Sequence, residues 1–506
     1  MSKQLLYGIG VAGLLWITAG CDENFDEINT NEVFPTAVDP SFVMNHAIVN
    51  ASVPNSVFVF ELAVVQQVVT PNGVSLAGAN FNQDNRNRPG IWQNHYRTVL
   101  QSTTDVLDKT QDDASLANLY QMARIWRAYV GMVLTDTYGD VPFSEAGVGF
   151  LEGTTTPSYD PQQEIYTEIL TELSEASAAL SENAPPVDEI LYGGDVARWR
   201  RLGYSLLLRA AMRLTERDPE TAQQYTAQAV SGGVMQSNQD NAAVYHNDLF
   251  RSPIGNYLNG SEANNYFLVD AFVDYLQANN DPRLEAIAVR YVGAANGAQQ
   301  NAQRATTDPA VQIGIPMGYD NTTIAPVATQ LGLASFYDFS QLDRRRLGSQ
   351  TAPSFLVTYA QTQLLLAEAA FRGWVSGEPA TYFSTGIQAH LEQMATYSPE
   401  SAIAPEAITT YVQAQPLAAG RELEQINTQY WVASFLNGPE AFANFRRSDF
   451  PQLTPNPYPG SEIDTDFILR LTYPDSEYAV NVGNLNEAVN RQGPDQLDTR
   501  VWWDVD

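Results

Sequence analysis

Three carboxylates stand close together in "TDTYGDVPFSEA": Asp136, Asp140 and Glu145. A glycosidase needs an acid and a base or nucleophile flanking a sugar bond, roughly 5 to 9.5 Å apart. With 58 acidic residues in 506, however, such a pair is expected by chance in a short window. The other reading is structural: Gly139 and Pro142 turn the chain after a helix, and the carboxylates cap or pair locally. The four histidines, His46, His95, His246 and His390, have no metal-ligand spacing, and the one cysteine, Cys21, leaves no thiolate site. "GIGVAG" (8–13) matches a dinucleotide fingerprint but has no strand before it and sits in an apolar run. No GxSxG, HExxH or P-loop pattern occurs. The expectation is therefore no catalytic residue, no metal and no cofactor.

Binding chemistry is better represented. Sugars present apolar C–H faces ringed by hydroxyls, so their sites pair flat aromatic platforms with Asn, Asp, Gln and Arg. "NFNQDNRNRPGIWQNHY" supplies Phe81, Asn82, Asp84, Arg86, Arg88 and Trp92. A long Asn-, Gly-, Gln- and Tyr-rich insert, about 245–348, supplies Phe250, Tyr257, Tyr266, Tyr319, Phe336 and Tyr337. Trp92 also begins a helical pattern with Tyr96 and Val99, which is a packing signature.

Cys21 follows an apolar stretch of 13 residues, Leu5 to Ile17, and the small residues Thr18, Ala19 and Gly20. That stretch is too short to span a bilayer and reads as a signal-peptide core. Cleavage before Cys21 would make residues 1–20 a lipoprotein signal peptide and the thiol a lipid-attachment site, binding the chain to a membrane without crossing it. The formal charge of −31 repels phosphate backbones, so nucleic acid is excluded as a partner.

The elements that must position these residues read mostly as helices. "SLANLYQMARIWRAYVGMVLTDTYGD" carries Leu119, Met122, Ala123, Trp126, Tyr129, Val130 and Val133 at spacings of three and four. In "YDPQQEIYTEILTELSEASAALSE", Asp160 reads as the N-cap and Pro161 as the first helical residue. Two further pairs follow: "RWRRLGYSLLLRAAMRLT" with "DPETAQQYTAQAVSGG", and "YAQTQLLLAEAAFRGW" with "EPATYFSTGIQAHLEQM". The last resembles a tetratricopeptide unit. No hairpin buries its apolar face alone, so the pairs should stack as one unit over 21–506.

Five blocks, "TDTYGDVPFSEA", "YDPQQEIYTEILTELSEA", "LLLAEAAFRGW", "QYWVASFLNGPEAFANFRRSDFP" and "RLTYPDSEYAVNVGNLNEA", closing with "VWWD", together resemble the SusD/RagB family of nutrient-binding lipoproteins of Bacteroidota. The resemblance implies an all-α, SusD-like fold with four tetratricopeptide-like helix pairs and long irregular loops. It also implies capture of an oligosaccharide, or a peptide, and delivery to a SusC-like TonB-dependent transporter at the outer membrane. The alternatives are a surface glycoside hydrolase and a purely structural transporter lid. In such proteins the glycan site is built from loops corresponding to the two aromatic regions above, on the face away from the membrane. The acidic "DENFDE" after Cys21 resembles a surface-export signal. Arg446, Arg447 and Asp449 of "FRRSDFP" are expected to form a packed ion-pair network rather than a site.

Overall fold

The computed structural model describes residues 38–72, 78, 80 and 90–505. Cys21, the segment 1–20, and the candidate ligand residues Phe81, Asn82, Asp84 and Arg86 lie outside the described residues. The protein is mainly helical, and its helices pack in pairs. The first pair is α1 (Pro40–Asn50) with α2 (Gln101–Thr110), followed by α3 (Ala117–Tyr138) with α4 (Gln162–Ala179). Then come α5 (Val196–Arg213) with α6 (Pro219–Gly232); past the insert, with its own α7 (Asp270–Ala278), lies α8 (Tyr359–Phe371) with α9 (Pro379–Gln393). No described helix is long and apolar enough to cross a membrane.

Each pair closes through its apolar stripe. On α3, Leu119, Met122, Trp126 and Val130 are buried, and Trp126 donates from Nε1 to the Ala47 carbonyl of α1 at 3.3 Å. The helix ends at Gly139, whose φ of +83° suits glycine and whose missing Cβ would fall 1.7 Å from Gln492 Oε1. Helix α8 opens on a reciprocal capping box between Thr358 and Gln361. Its partner α9 approaches through Gly386, where a Cβ would sit 2.8 Å from Leu364 Cγ.

The N-terminus of α4 differs from expectation. Asp160 is not its cap: it accepts from the Phe143 and Ser144 amides, both at 2.8 Å, and so ties down the turn after α3. The carboxylate at the α4 N-terminus is Asp140, which accepts from the Gln162 amide at 2.8 Å. The three carboxylates of the opening motif therefore bond well beyond their neighbourhood. Asp136 takes the Tyr166 hydroxyl, the Trp503 indole N–H at 2.9 Å and Arg213 Nε at 3.2 Å. Asp140 also takes Arg491 Nε at 2.7 Å, and Glu145 takes the Ser158 amide at 2.8 Å.

Two C-terminal helices, α10 (Glu422–Ala433) beside α8 and α11 (Gly438–Ser448) beside α10 and α3, carry the expected ionic network in altered form. Arg447 pairs with Glu368 through both nitrogens at 2.8 Å. Arg446 instead spends its donors on the carbonyls of Phe442, Leu469 and Asp136. Asp449 sits at the end of α11 in the left-handed region, φ +57°, and lines a cavity.

The insert is more ordered than a run of loops. Two-stranded antiparallel ribbons pair Val68–Val69 with Phe267–Leu268 and Ala242–Val244 with Ser354–Val357. Ala288–Tyr291 forms the centre of a three-stranded sheet. A second apolar cluster, including Phe267, Val269, Ile315, Met317, Ile324 and Phe339, holds it to the scaffold.

Candidate functional site

Helix α7 stands at the centre of the insert. Phe272, Val273 and Leu276 face inward, and Phe272 stacks on Phe435 at 4.9 Å and meets Trp431 edge-on at 5.1 Å. Burying that stripe leaves Asp270, Asp274 and Tyr275 along one wall of an open cleft of about 540 Å³, within the range of small-ligand sites.

The second wall is the strand-like run 314–319. The Asp270 amide donates to the Ile315 carbonyl at 3.0 Å, and the Ile315 amide to that of Leu268 at 2.9 Å. Gly314 permits this approach, since a Cβ there would lie 2.4 Å from Asp270 Cα. Gly318 then turns the chain at φ +90°, against Pro457, and presents the half-buried Tyr319 ring to the cleft. The third wall is 451–457, fastened where Gln66 Nε2 donates to the Thr454 carbonyl at 2.6 Å. At the base, Trp431 is fixed by its indole N–H on the Val65 carbonyl at 2.9 Å, and Tyr275 receives Gln429 Nε2 on its hydroxyl at 3.1 Å.

The cleft thus offers aromatic faces on Tyr319 and Tyr275, the carboxylates Asp270 and Asp274, and the amides Gln66 and Gln452. Burial pushes both carboxyls above the usual range, and at Asp270 the neighbouring charge of Asp274 adds to it. The two lie one helical turn apart on a single wall, so both reach a ligand from the same side. Among the described residues no group of three potential metal ligands is found.

The other sequence-predicted aromatics are dispersed. Trp92 is 5% exposed, wedged between Tyr96 at 4.6 Å, Tyr138 at 5.1 Å and Tyr473 at 5.9 Å, on the wall of a separate cavity of about 390 Å³ with Glu477 and Val480. The Tyr257 hydroxyl bonds to that of Tyr266 at 3.0 Å beside Phe58. Phe336 and Tyr337 stack on one another at 4.2 Å against the second apolar cluster. Only Tyr319 of the described candidates lines the cleft. Sequence reading overlooked Asp270, Asp274, Tyr275, Gln66 and Gln452. The available signal was "DAFVDYLQA", with carboxylates at i and i+4 on the polar face of an amphipathic helix.

A family model described as "Starch-binding associating with outer membrane", SusD-like, matches residues 32–474. Among solved structures, a chitin-binding protein is 31% identical with a TM-score of 0.82, the match covering 92% of this chain and 100% of that one. A Bacteroidetes SusD-like protein is 28% identical with a TM-score of 0.80, covering 93% and 100%. A chitin-binding SusD homologue from Flavobacterium johnsoniae, 23% identical with a TM-score of 0.74, covers 92% and 98% and shares the fold. Comparison with curated protein sequences gives no match. On the family match over residues 32–474 and the fold shared across nearly the whole chain, this protein belongs to the SusD-like family.

Proposed function

We propose that this protein binds an oligosaccharide without cleaving it, at the outer membrane, and passes it to a SusC-like TonB-dependent transporter, held there by lipid on Cys21. The observation that carries the reading is the 540 Å³ cleft, in which Tyr319 and Tyr275 can take the apolar face of a sugar while Asp270, Asp274 and Gln66 meet its hydroxyls. The 31% identical chitin-binding protein makes N-acetylglucosamine oligomers the first ligands to try, with malto-oligosaccharides second because of the family description. Handover to a transporter favours modest affinity, with Kd on the order of 10 to 100 μM.

Isothermal titration against both oligomer series tests this. Tyr319→Ala removes a central aromatic anchor, worth roughly 2 kcal/mol or more, so affinity should fall at least about thirtyfold, while the lost packing of this half-buried ring on the second apolar cluster should lower the melting temperature without unfolding the protein. Cleavage of a bound oligomer by the purified protein, or full affinity in the Tyr319→Ala variant, would overturn the proposal.

A further inference from the structure

The half-buried Tyr275 stands between two openings. It lines the Tyr319 cleft and also a further cavity of about 350 Å³, whose walls carry Gln415, Gln425, Thr428 and Gln429. Tyr275, Pro451 and Gln452 are common to both, so the two openings adjoin along one rim.

What Tyr275 offers a ligand at that rim is decided by the buried groups behind it. Arg283 is fully buried and donates from Nη2 to Gln429 Oε1 at 2.8 Å. Its Nε is held by Asp281 Oδ1 at 2.9 Å, and its Nη1 meets His390 Nδ1 at 2.9 Å. A guanidinium only donates, so it fixes which way round the Gln429 amide stands. The amide nitrogen is thereby turned to the tyrosines, donating to the Tyr275 hydroxyl at 3.1 Å and to that of Tyr411 at 3.3 Å. The Tyr275 oxygen is thus an acceptor toward the protein, and its own O–H has no acceptor among the described residues. Burial pushes that hydroxyl up to about 12, so it keeps its proton at neutral pH. The proton must point away from the Gln429 donor, and a donor left without an acceptor is costly until a ligand supplies one.

The other polar groups at the rim lean the opposite way. Ionised Asp270 and Asp274 only accept, and Gln66 and Gln452 each already spend an amide hydrogen, on the carbonyls of Thr454 at 2.6 Å and Asp449 at 3.0 Å. We propose that Tyr275 selects N-acylated sugars, its O–H donating to the acetamido carbonyl of a unit that lies across the rim. A carbonyl oxygen has no hydrogen to offer the carboxylates and always accepts, whereas a sugar hydroxyl in the same place can be drawn off as a donor. Gln429 is a positioning residue that acts through Tyr275. The inference rests on the reading given above and adds which part of the sugar is read.

The test uses two β-1,4-linked hexamers that differ only at C2, one of N-acetylglucosamine and one of glucose, in isothermal titration on the full chain near neutral pH. The wild type should bind the acetylated hexamer about tenfold more tightly, the effect of one well-made hydrogen bond. Tyr275→Phe keeps the ring and should bring the two affinities together by weakening the acetylated hexamer alone. Gln429→Glu replaces the donor by a carboxylate that takes the Tyr275 proton and turns the hydroxyl round. It should abolish the preference with the ring still in place, which a merely structural role for Gln429 would not confine to one hexamer. If Gln429→Glu melts early, Tyr275→Phe decides alone. Equal affinity of the wild type for both hexamers, or a preference unchanged in Tyr275→Phe, overturns the inference and leaves the Tyr319 cleft standing. Binding of neither hexamer also overturns it, and the malto-oligosaccharides then decide the reading on which it rests.

Discussion

Replacing Glu368 by Gln should destabilise the scaffold by about 3 kcal/mol, through charge alone. Glu368 is 1% exposed and is reached by Arg447 at 2.8 Å from two nitrogens, by Arg372 Nε at 3.0 Å and by Asn427 Nδ2 at 3.1 Å. Burial by itself would raise this carboxyl, but Arg447 chiefly, with Arg372 and Asn427, outweighs it and holds the group at about 2 against an ordinary 4.5. That depression is worth about 3 kcal/mol, present above pH 4.5 and lost as the pH falls toward 2. Removing one partner of a buried pair costs about 3 to 5 kcal/mol because the other charge is stranded. Arg447 keeps bonds to Asn444 and Thr215, which favours the lower end. The two routes agree. Urea unfolding followed by tryptophan fluorescence should therefore show Glu368→Gln less stable by about 3 kcal/mol at neutral pH, the gap closing on acidification. Taking the difference between wild type and variant removes acids such as Glu61, which burial pushes up to about 7 and whose contribution runs the opposite way. A variant as stable as wild type at neutral pH, or a gap that stays constant down to pH 2, would show that the Glu368–Arg447 pair does not carry this stability.

Trp92→Ala should cost about 3 to 5 kcal/mol, since the ring is enclosed by four tyrosines, and near-ultraviolet circular dichroism should lose intensity with it; a normal melt would place the ring outside the core. Cys21→Ser should fold normally yet take up no fatty acid in a lipoprotein-competent host, whereas wild type is labelled; equal labelling would remove the proposed anchor. Gly139→Ala should lower stability by more than about 1 kcal/mol, because φ is +83° and the new methyl meets Gln492, and an unchanged midpoint of unfolding would count against it.

The helix pairs were legible because their apolar residues recur at three and four positions over ten or more residues. Met122, Trp126 and Val130 on α3 were read as one face and are buried together. The strands were not, because runs such as Val68–Val69 are too short to show an alternation of period two. The Asp160–Pro161 pair misled for a related reason. Its local pattern is that of an N-cap, but the cap competition was decided by Asp140, which a turn of chain delivers to the Gln162 amide from 22 residues away. The candidate site was legible only in part. Aromatic content drew attention to the insert and to Tyr319, but it could not separate that ring from Phe336 and Tyr337, which are half-buried on the same apolar cluster and stack on one another. Asp270 and Asp274 stand at i and i+4 on the polar face of α7, a pattern that any solvated helix face shows; only the folding of 314–319 and 451–457 beside them makes a cleft.

Whether the Tyr319 cleft holds a sugar is decided by a crystal structure with an N-acetylglucosamine or malto-oligosaccharide hexamer. A pyranose ring is expected against Tyr319, with hydroxyls within hydrogen-bond distance of Asp270 or Asp274. An oligosaccharide bound only in the cavity beside Trp92 and Glu477, with the Tyr319 cleft empty, would contradict it.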